Sequence, residues 1–125
     1  MLNDSFDLGR RSTTPGQVSL TLGGVARNIA EAAHRIMVST PQTTEPPLLI
    51  SHLGNDSFAK LLKSEMQSFG MRTDGLLESD TRRGTAVCSM VIDNEGELFG
   101  GIADMDITEA LTPEQVFAYL FCNVG

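Results

Sequence analysis

Leu22-Gly23-Gly24-Val25-Ala26-Arg27-Asn28-Ile29-Ala30 marks the point at which the chain changes period. Before the glycine pair, Gln17 to Leu22 alternates: Val18, Leu20 and Leu22 point one way and Gln17, Ser19 and Thr21 the other, which predicts a short strand. After it, Val25, Ile29, Ala33 and Ile36 recur at helical spacing. Ala26, Ala30 and Met37 widen that stripe, and Glu31 and Arg35 form an i, i+4 pair. Two glycines between a strand and a helix let a ligand approach the backbone and leave unpaired helix amides facing it. Asn28, in the first turn, carries an amide that can donate to and accept from hydroxyl groups. The same glycines would also serve a tight turn and nothing more. Gly-x-Gly-x-x-Gly is absent, so this is not a dinucleotide fingerprint.

Working outward, residues 1–16 are polar and end in Ser12-Thr13-Thr14-Pro15-Gly16, which predicts a flexible N-terminal segment; residues 17–125 form the domain. Residues 38–47 are a polar, proline-rich loop. Leu48-Leu49-Ile50 is a short continuous apolar run, as expected of a buried strand in a parallel sheet. A helix follows, capped by Asn55 or Asp56, with Phe58, Leu61, Leu62, Met66 and Phe69 on one face and Gly70 at its C′ position. Thr85–Ile92 and Glu97–Ile102 read as a hairpin around Asp93-Asn94-Glu95-Gly96. Thr112-Pro113-Glu114-Gln115 opens a last helix with a capping box. The order predicts an α/β chain that begins like a βαβ unit but has too few strands to finish a sheet. It looks cut at both ends.

Composition narrows the function. With 9 Lys plus Arg against 16 Asp plus Glu, the formal net charge of the 125 residues is −7. Clustered positive charge for nucleic acid or an anionic membrane is therefore not expected. No apolar run approaches the ~20 residues of a membrane-spanning helix. Met1–Arg11 has no apolar core of a secretory signal. Cys88 and Cys122 are too few for a disulfide scaffold and suit a reducing compartment, so a cytoplasmic location is expected.

Other groups were weighed for chemistry. Gly54-Asn55-Asp56-Ser57-Phe58-Ala59-Lys60-Leu61 has a P-loop's outline, but Ala59 replaces the second glycine and Leu61 the Ser/Thr after lysine. Asp56 reads as a cap rather than a catalyst. Asp104-Met105-Asp106 places two carboxylates after a strand, where they could bind hydroxyls or a cation or simply be solvated. His34 and His52 have no partner at ligand spacing, so no metal site is expected. Cys88 reads as strand packing. Arg82-Arg83 is a loop pair that could meet a phosphate or be solvated.

These pieces, taken in order, resemble the ribokinase-like (PfkB-type) carbohydrate kinases. Pro15-Gly16, a strand, and Gly23-Gly24-Val25-Ala26-Arg27-Asn28-Ile29-Ala30 resemble the first signature of that family, in the variant found in pseudouridine kinases. Ser51-His52-Leu53-Gly54-Asn55-Asp56-Ser57-Phe58, Phe69-Gly70-Met71-Arg72-Thr73, Arg83-Gly84-Thr85-Ala86 and Ala103-Asp104-Met105-Asp106-Ile107 follow in the family's order. The resemblance covers roughly residues 15–118 and extends to the kinase domain of fungal pseudouridine-metabolising bifunctional proteins.

The resemblance implies an incomplete ribokinase-like fold: part of a parallel sheet plus a small β-lid, with lid strands near 17–22 and 85–102. It implies phosphorylation of the 5′-hydroxyl of pseudouridine or a similar ribosyl substrate, with ATP and Mg2+ in the complete enzyme. Gly23, Gly24 and Asn28 would bind ribose, and Thr85 and Asp104 would reach it from the lid. The family's first strand, with its sugar-binding aspartate, and its Gly-Ala-Gly-Asp anion hole with the catalytic base have no counterpart here. No catalytic residue is therefore assigned, and ATP and Mg2+ are not expected to bind this chain well. The expected partner is a small ribosyl molecule, with a homodimer through the lid as a further expectation. The competing reading is a non-catalytic truncated paralogue that serves as a binding or dimerisation module.

Overall fold

A computed structural model describes residues 13, 15–40, 45–79 and 82–122. Most of the segment expected to be flexible, residues 1–16, lies outside the described residues, as does part of the proline-rich loop. In chain order the elements are α1 (Val25–Val38), β1 (Ser51–Leu53), α2 (Ser57–Ser68), β2 (Leu76–Glu78), β3 (Val87–Ile92), β4 (Leu98–Asp104), a 3-10 turn (Asp106–Ala110) and α3 (Pro113–Cys122).

The α/β reading stands. β1 and β2 pair in parallel, Ser51 opposite Leu76 and Leu53 opposite Glu78, with α2 as the crossover between them. β3 and β4 form a separate antiparallel ribbon, Val87 opposite Asp104, with a bulge between Val91 and Ile92. The core lies between α2, the parallel pair and one edge of α1: Ala30, Leu53, Ala59, Met66, Met71 and Leu76, with Leu49 and Leu62 against it.

Local chemistry explains the boundaries. The Asp56 carboxylate accepts the Ala59 amide at 2.8 Å and caps α2. At the other end Gly70, at φ 76°, lets its amide donate to the Gln67 carbonyl while the Met71 amide donates to that of Met66. Those two bonds make a Schellman stop. The Asp93 carboxylate accepts the amides of Glu95 and Glu97 and folds the hairpin turn, which Gly96 completes at φ 88°. Thr112 and Gln115 exchange side-chain and backbone bonds in the expected capping box.

Several expectations are corrected. Gln17–Leu22 forms no strand, and Val18 is fully exposed; neither β3 nor β4 pairs with it, and a strand without a neighbour leaves its backbone to water. The strand expected at Leu48–Ile50 starts at Ser51, where the amide first finds the Gly75 carbonyl. α1 buries Ala30 and His34, while Val25, Ile29 and Ile36 of the expected core stripe are exposed. Phe58 and Phe69 likewise reach the surface of α2. Cys88 is exposed rather than packed.

Candidate functional site

Two short loops meet backbone to backbone beneath the hairpin. A β-carbon added to Gly54 would lie 2.6 Å from the Thr85 nitrogen and 2.8 Å from the Gly84 carbonyl carbon, so the loop 54–56 and the loop 83–85 can approach only because position 54 has no side chain. The contact is stitched by polar bonds. The Thr85 amide donates to Asp56 Oδ2 at 2.7 Å, the Thr85 hydroxyl donates to Asp56 Oδ1 at 2.8 Å, and the Gly54 amide donates to Thr85 Oγ1 at 3.0 Å. Desolvation pushes the Asp56 carboxyl up, but the amides of Thr85, Ala59 and Phe58 and the Thr85 hydroxyl together hold it below the usual aspartate value.

Where the hairpin leaves this junction, an open cleft of about 320 Å³ is lined by Asp56, Phe58, Gly84, Thr85, Val87, Ser89, Ile102 and Asp104. Val87, Ser89, Ile102 and Asp104 share one face of the ribbon, since Val87 opposes Asp104 and Ser89 opposes Ile102. The walls are apolar at Phe58, Val87 and Ile102, and polar at Ser89, Asp104 and Asp56. The lining carries two carboxylates and no cation. Such a cleft accepts neutral hydroxyl-bearing molecules, because carboxylates accept from hydroxyls and repel phosphates.

The expected site residues divide. Thr85 and Asp104 come together in this cleft. Thr85 is buried, and its hydroxyl hydrogen is already given to Asp56. Gly23, Gly24 and Asn28 lie outside the cleft lining, at the start of α1. Gly24 has φ 93°, and its carbonyl accepts the Asn28 amide at 2.9 Å. The Asn28 side-chain oxygen accepts from Arg27 Nη2 at 2.6 Å, and Arg27 Nε donates to the Gly23 carbonyl. A second cleft, about 500 Å³, lies between α1 and α2 and includes Leu22, Arg27, Glu31 and Phe69. Glu31 in it accepts from Arg35 and Arg27, which hold its carboxyl below the ordinary glutamate range.

Sequence reading missed Phe58 and Ser89 as cleft residues and saw only half of what Asp56 does. The available signal for Asp56 was its place two residues after Gly54. Among the described residues, no three His, Cys, Asp or Glu side chains gather to hold a metal ion. The lining of the hairpin cleft carries no Lys or Arg that would receive a phosphate. His52 Nε2 donates to Gln115 Oε1 at 2.9 Å, and His34 Nε2 donates to the Phe69 carbonyl at 3.0 Å. Among the described residues no helix is long and apolar enough to cross a membrane.

Known proteins are similar to this chain in sequence and fold. Residues 3–123 match the pfkB family of carbohydrate kinases. A pseudouridine kinase of Arabidopsis thaliana is 34% identical over 106 residues, covering 84% of this chain and 25% of the relative. A pseudouridine kinase of Escherichia coli K12 is 29% identical over 107 residues, covering 86% of this chain and 32% of the relative. A solved Clostridium perfringens protein assigned as a sugar kinase superposes with a TM-score of 0.69 at 28% identity, over 88% of this chain and 32% of that one. The chain thus spans between a quarter and a third of the length of these relatives.

Proposed function

The chain belongs to the pfkB family of carbohydrate kinases, and from that premise we propose that it is the sugar-binding and lid portion of a kinase acting on the 5′-hydroxyl of pseudouridine or a similar ribosyl compound. The observation that carries this reading is the cation-free cleft holding Ser89, Thr85 and Asp104 beside Phe58. A phosphoryl acceptor enters such an enzyme as a neutral polyol, and this lining suits one. Asp104 accepts from sugar hydroxyls, Ser89 donates or accepts, and Phe58 supplies an apolar wall. The kinship with two pseudouridine kinases supports a nucleoside-type substrate. Gly23, Gly24 and Asn28 remain assigned to ribose from the α1 side. ATP with magnesium is assigned to the remainder of a complete kinase.

Titrating the chain with pseudouridine, ribose and ATP while following amide resonances tests this. Saturable pseudouridine shifts at Ser89, Thr85 and Asp104 are expected. Absence of binding by any ribosyl compound, or ATP shifts at these residues, would sink the reading.

The competing reading, a non-catalytic dimerisation module, is favoured by the other face of the ribbon. Cys88, Met90, Ile92 and Leu98 are exposed there, and such surface promotes self-association. Sedimentation that shows a dimer lost on Met90→Lys, together with no ribosyl binding, would favour it.

A further inference from the structure

Asp56 uses both carboxylate oxygens on groups 29 residues away while it caps its own helix. The cap needs one oxygen, the bond to the Ala59 amide. The other bonds close a junction between two loops that no secondary structure joins: Asp56 takes the Thr85 amide and hydroxyl, and the Thr85 oxygen takes the Gly54 amide. Gly54 is shaped for it, since a β-carbon there would lie 2.6 Å from the Thr85 nitrogen. The outgoing end of the hairpin is tied nearby, where Arg83 Nη1 donates to the Asp106 carbonyl at 2.9 Å. Two residues beyond Thr85, Val87 pairs with Asp104, so the position of Thr85 sets where the cleft face of the ribbon begins. Both faces of the ribbon are otherwise largely exposed, so little else fixes its angle to the domain.

We propose that Asp56 is a positioning residue, a latch that holds the root of the β3–β4 hairpin against the N-terminus of α2 and thereby sets Thr85 and Asp104 over the ribosyl-binding cleft. The assignment of the cleft's ligand rests on the function proposed above; the latch itself does not. A carboxylate is required because the Thr85 N–H and O–H both point at position 56 as donors. An asparagine would set its own NH2 against one of them.

The test uses variants that keep the cap. Asn and Ser cap helices about as well as Asp, so Asp56→Asn and Asp56→Ser preserve α2 while removing the latch. Amide exchange on the 125-residue chain is expected to quicken about tenfold at Thr85 and through Val87–Ile92, with exchange in α2 unchanged, as befits loss of one charge-assisted bond. Thr85→Ser, which keeps both donors, is expected to exchange like the wild type, and Thr85→Val to loosen. Pseudouridine affinity is expected to fall by a similar factor in both Asp56 variants. Unchanged hairpin exchange in both would overturn the latch. A loosened hairpin with unchanged affinity would overturn the positioning role. A wild-type chain that binds no ribosyl compound would count against the function proposed above, while the exchange measurements still decide the latch.

Discussion

The α-carbon of Gly54 faces the Thr85 amide so closely that a β-carbon there would stand 2.6 Å from its nitrogen, with the Arg83 carbonyl oxygen 2.9 Å away. All the nearest atoms are backbone, which cannot swing aside as a side chain can. Gly54→Ala is therefore expected to lose about 1–3 kcal/mol of stability, as overpacked sites do. Urea unfolding followed by circular dichroism measures it, and an unaltered midpoint would contradict the close approach.

Gly23 presents the opposite case. A β-carbon there meets nothing within 4 Å, so Gly23→Ala is expected to leave urea stability unchanged. If a ribosyl ligand approaches this backbone, the same substitution lowers its affinity. Asn28→Ala should behave similarly. Among the described contacts its side chain bonds only Arg27, in an exposed hydrogen bond, so stability should hold while pseudouridine binding weakens by about 1–3 kcal/mol. Calorimetric titration of both variants separates ligand contact from turn geometry. Lowered stability with intact affinity would make both residues structural.

Acid should loosen the hairpin root. The folded-state pKa of Asp56 lies below its ordinary value of 3.8, because Thr85, Ala59 and Phe58 bond its ionised form more strongly than burial opposes it. Its contribution to stability is thus present above pH 3.8 and lost as pH falls through the lower, folded value. Glu31, Asp74 and Glu78 also titrate low in the folded chain, through Arg35 with Arg27, Arg72 and Lys63, so overall acid unfolding is shared. The Asp56 share is read from hairpin protection factors, in which the intrinsic pH dependence of amide exchange is divided out. Acidification from pH 7 should lower them in the wild type and change them little in Asp56→Asn.

Met66 has no exposed surface and lies in the core formed by α1, α2 and the parallel pair, whereas Ile36 is 67% exposed on α1. Met66→Ala is expected to cost about 2–5 kcal/mol. Ile36→Ala should stay within about 0.5 kcal/mol, although it removes as many side-chain heavy atoms. Parallel denaturation curves of the two variants test whether the core sits where the packing puts it.

The helices and the hairpin were legible because their signals are local. Asp56 and Gly70 bracket α2, Thr112 and Gln115 open α3, and Asp93 with Gly96 turns the ribbon, each within a few residues. What escaped is non-local. Leu76–Glu78 is a three-residue strand, too short for any period to register, and it exists because Ser51–Leu53 lies beside it. Gln17–Leu22 has the period but no neighbour. The α1 stripe is as amphipathic as its spacing suggests, yet spacing says nothing of which elements are there to cover it. In the cleft lining, Thr85 and Asp104 stand next to the motifs that flank the hairpin, whereas the second duty of Asp56 depends on a partner 29 residues away.

α1 touches the core through Ala30 and meets the end of α2 where His34 Nε2 donates to the Phe69 carbonyl at 3.0 Å, with Arg35 resting on the Phe69 ring. The ion pairs from Glu31 to Arg27 and Arg35 run along the helix itself and are kept whether or not it is docked. Undocking α1 exposes Ala30 and His34, while opening α2 exposes Ala59 and the fully buried Met66 at the centre of the core. Heating should then melt the chain in two cooperative units: first a helix that stays helical as it swings free, then the β1–α2–β2 kernel.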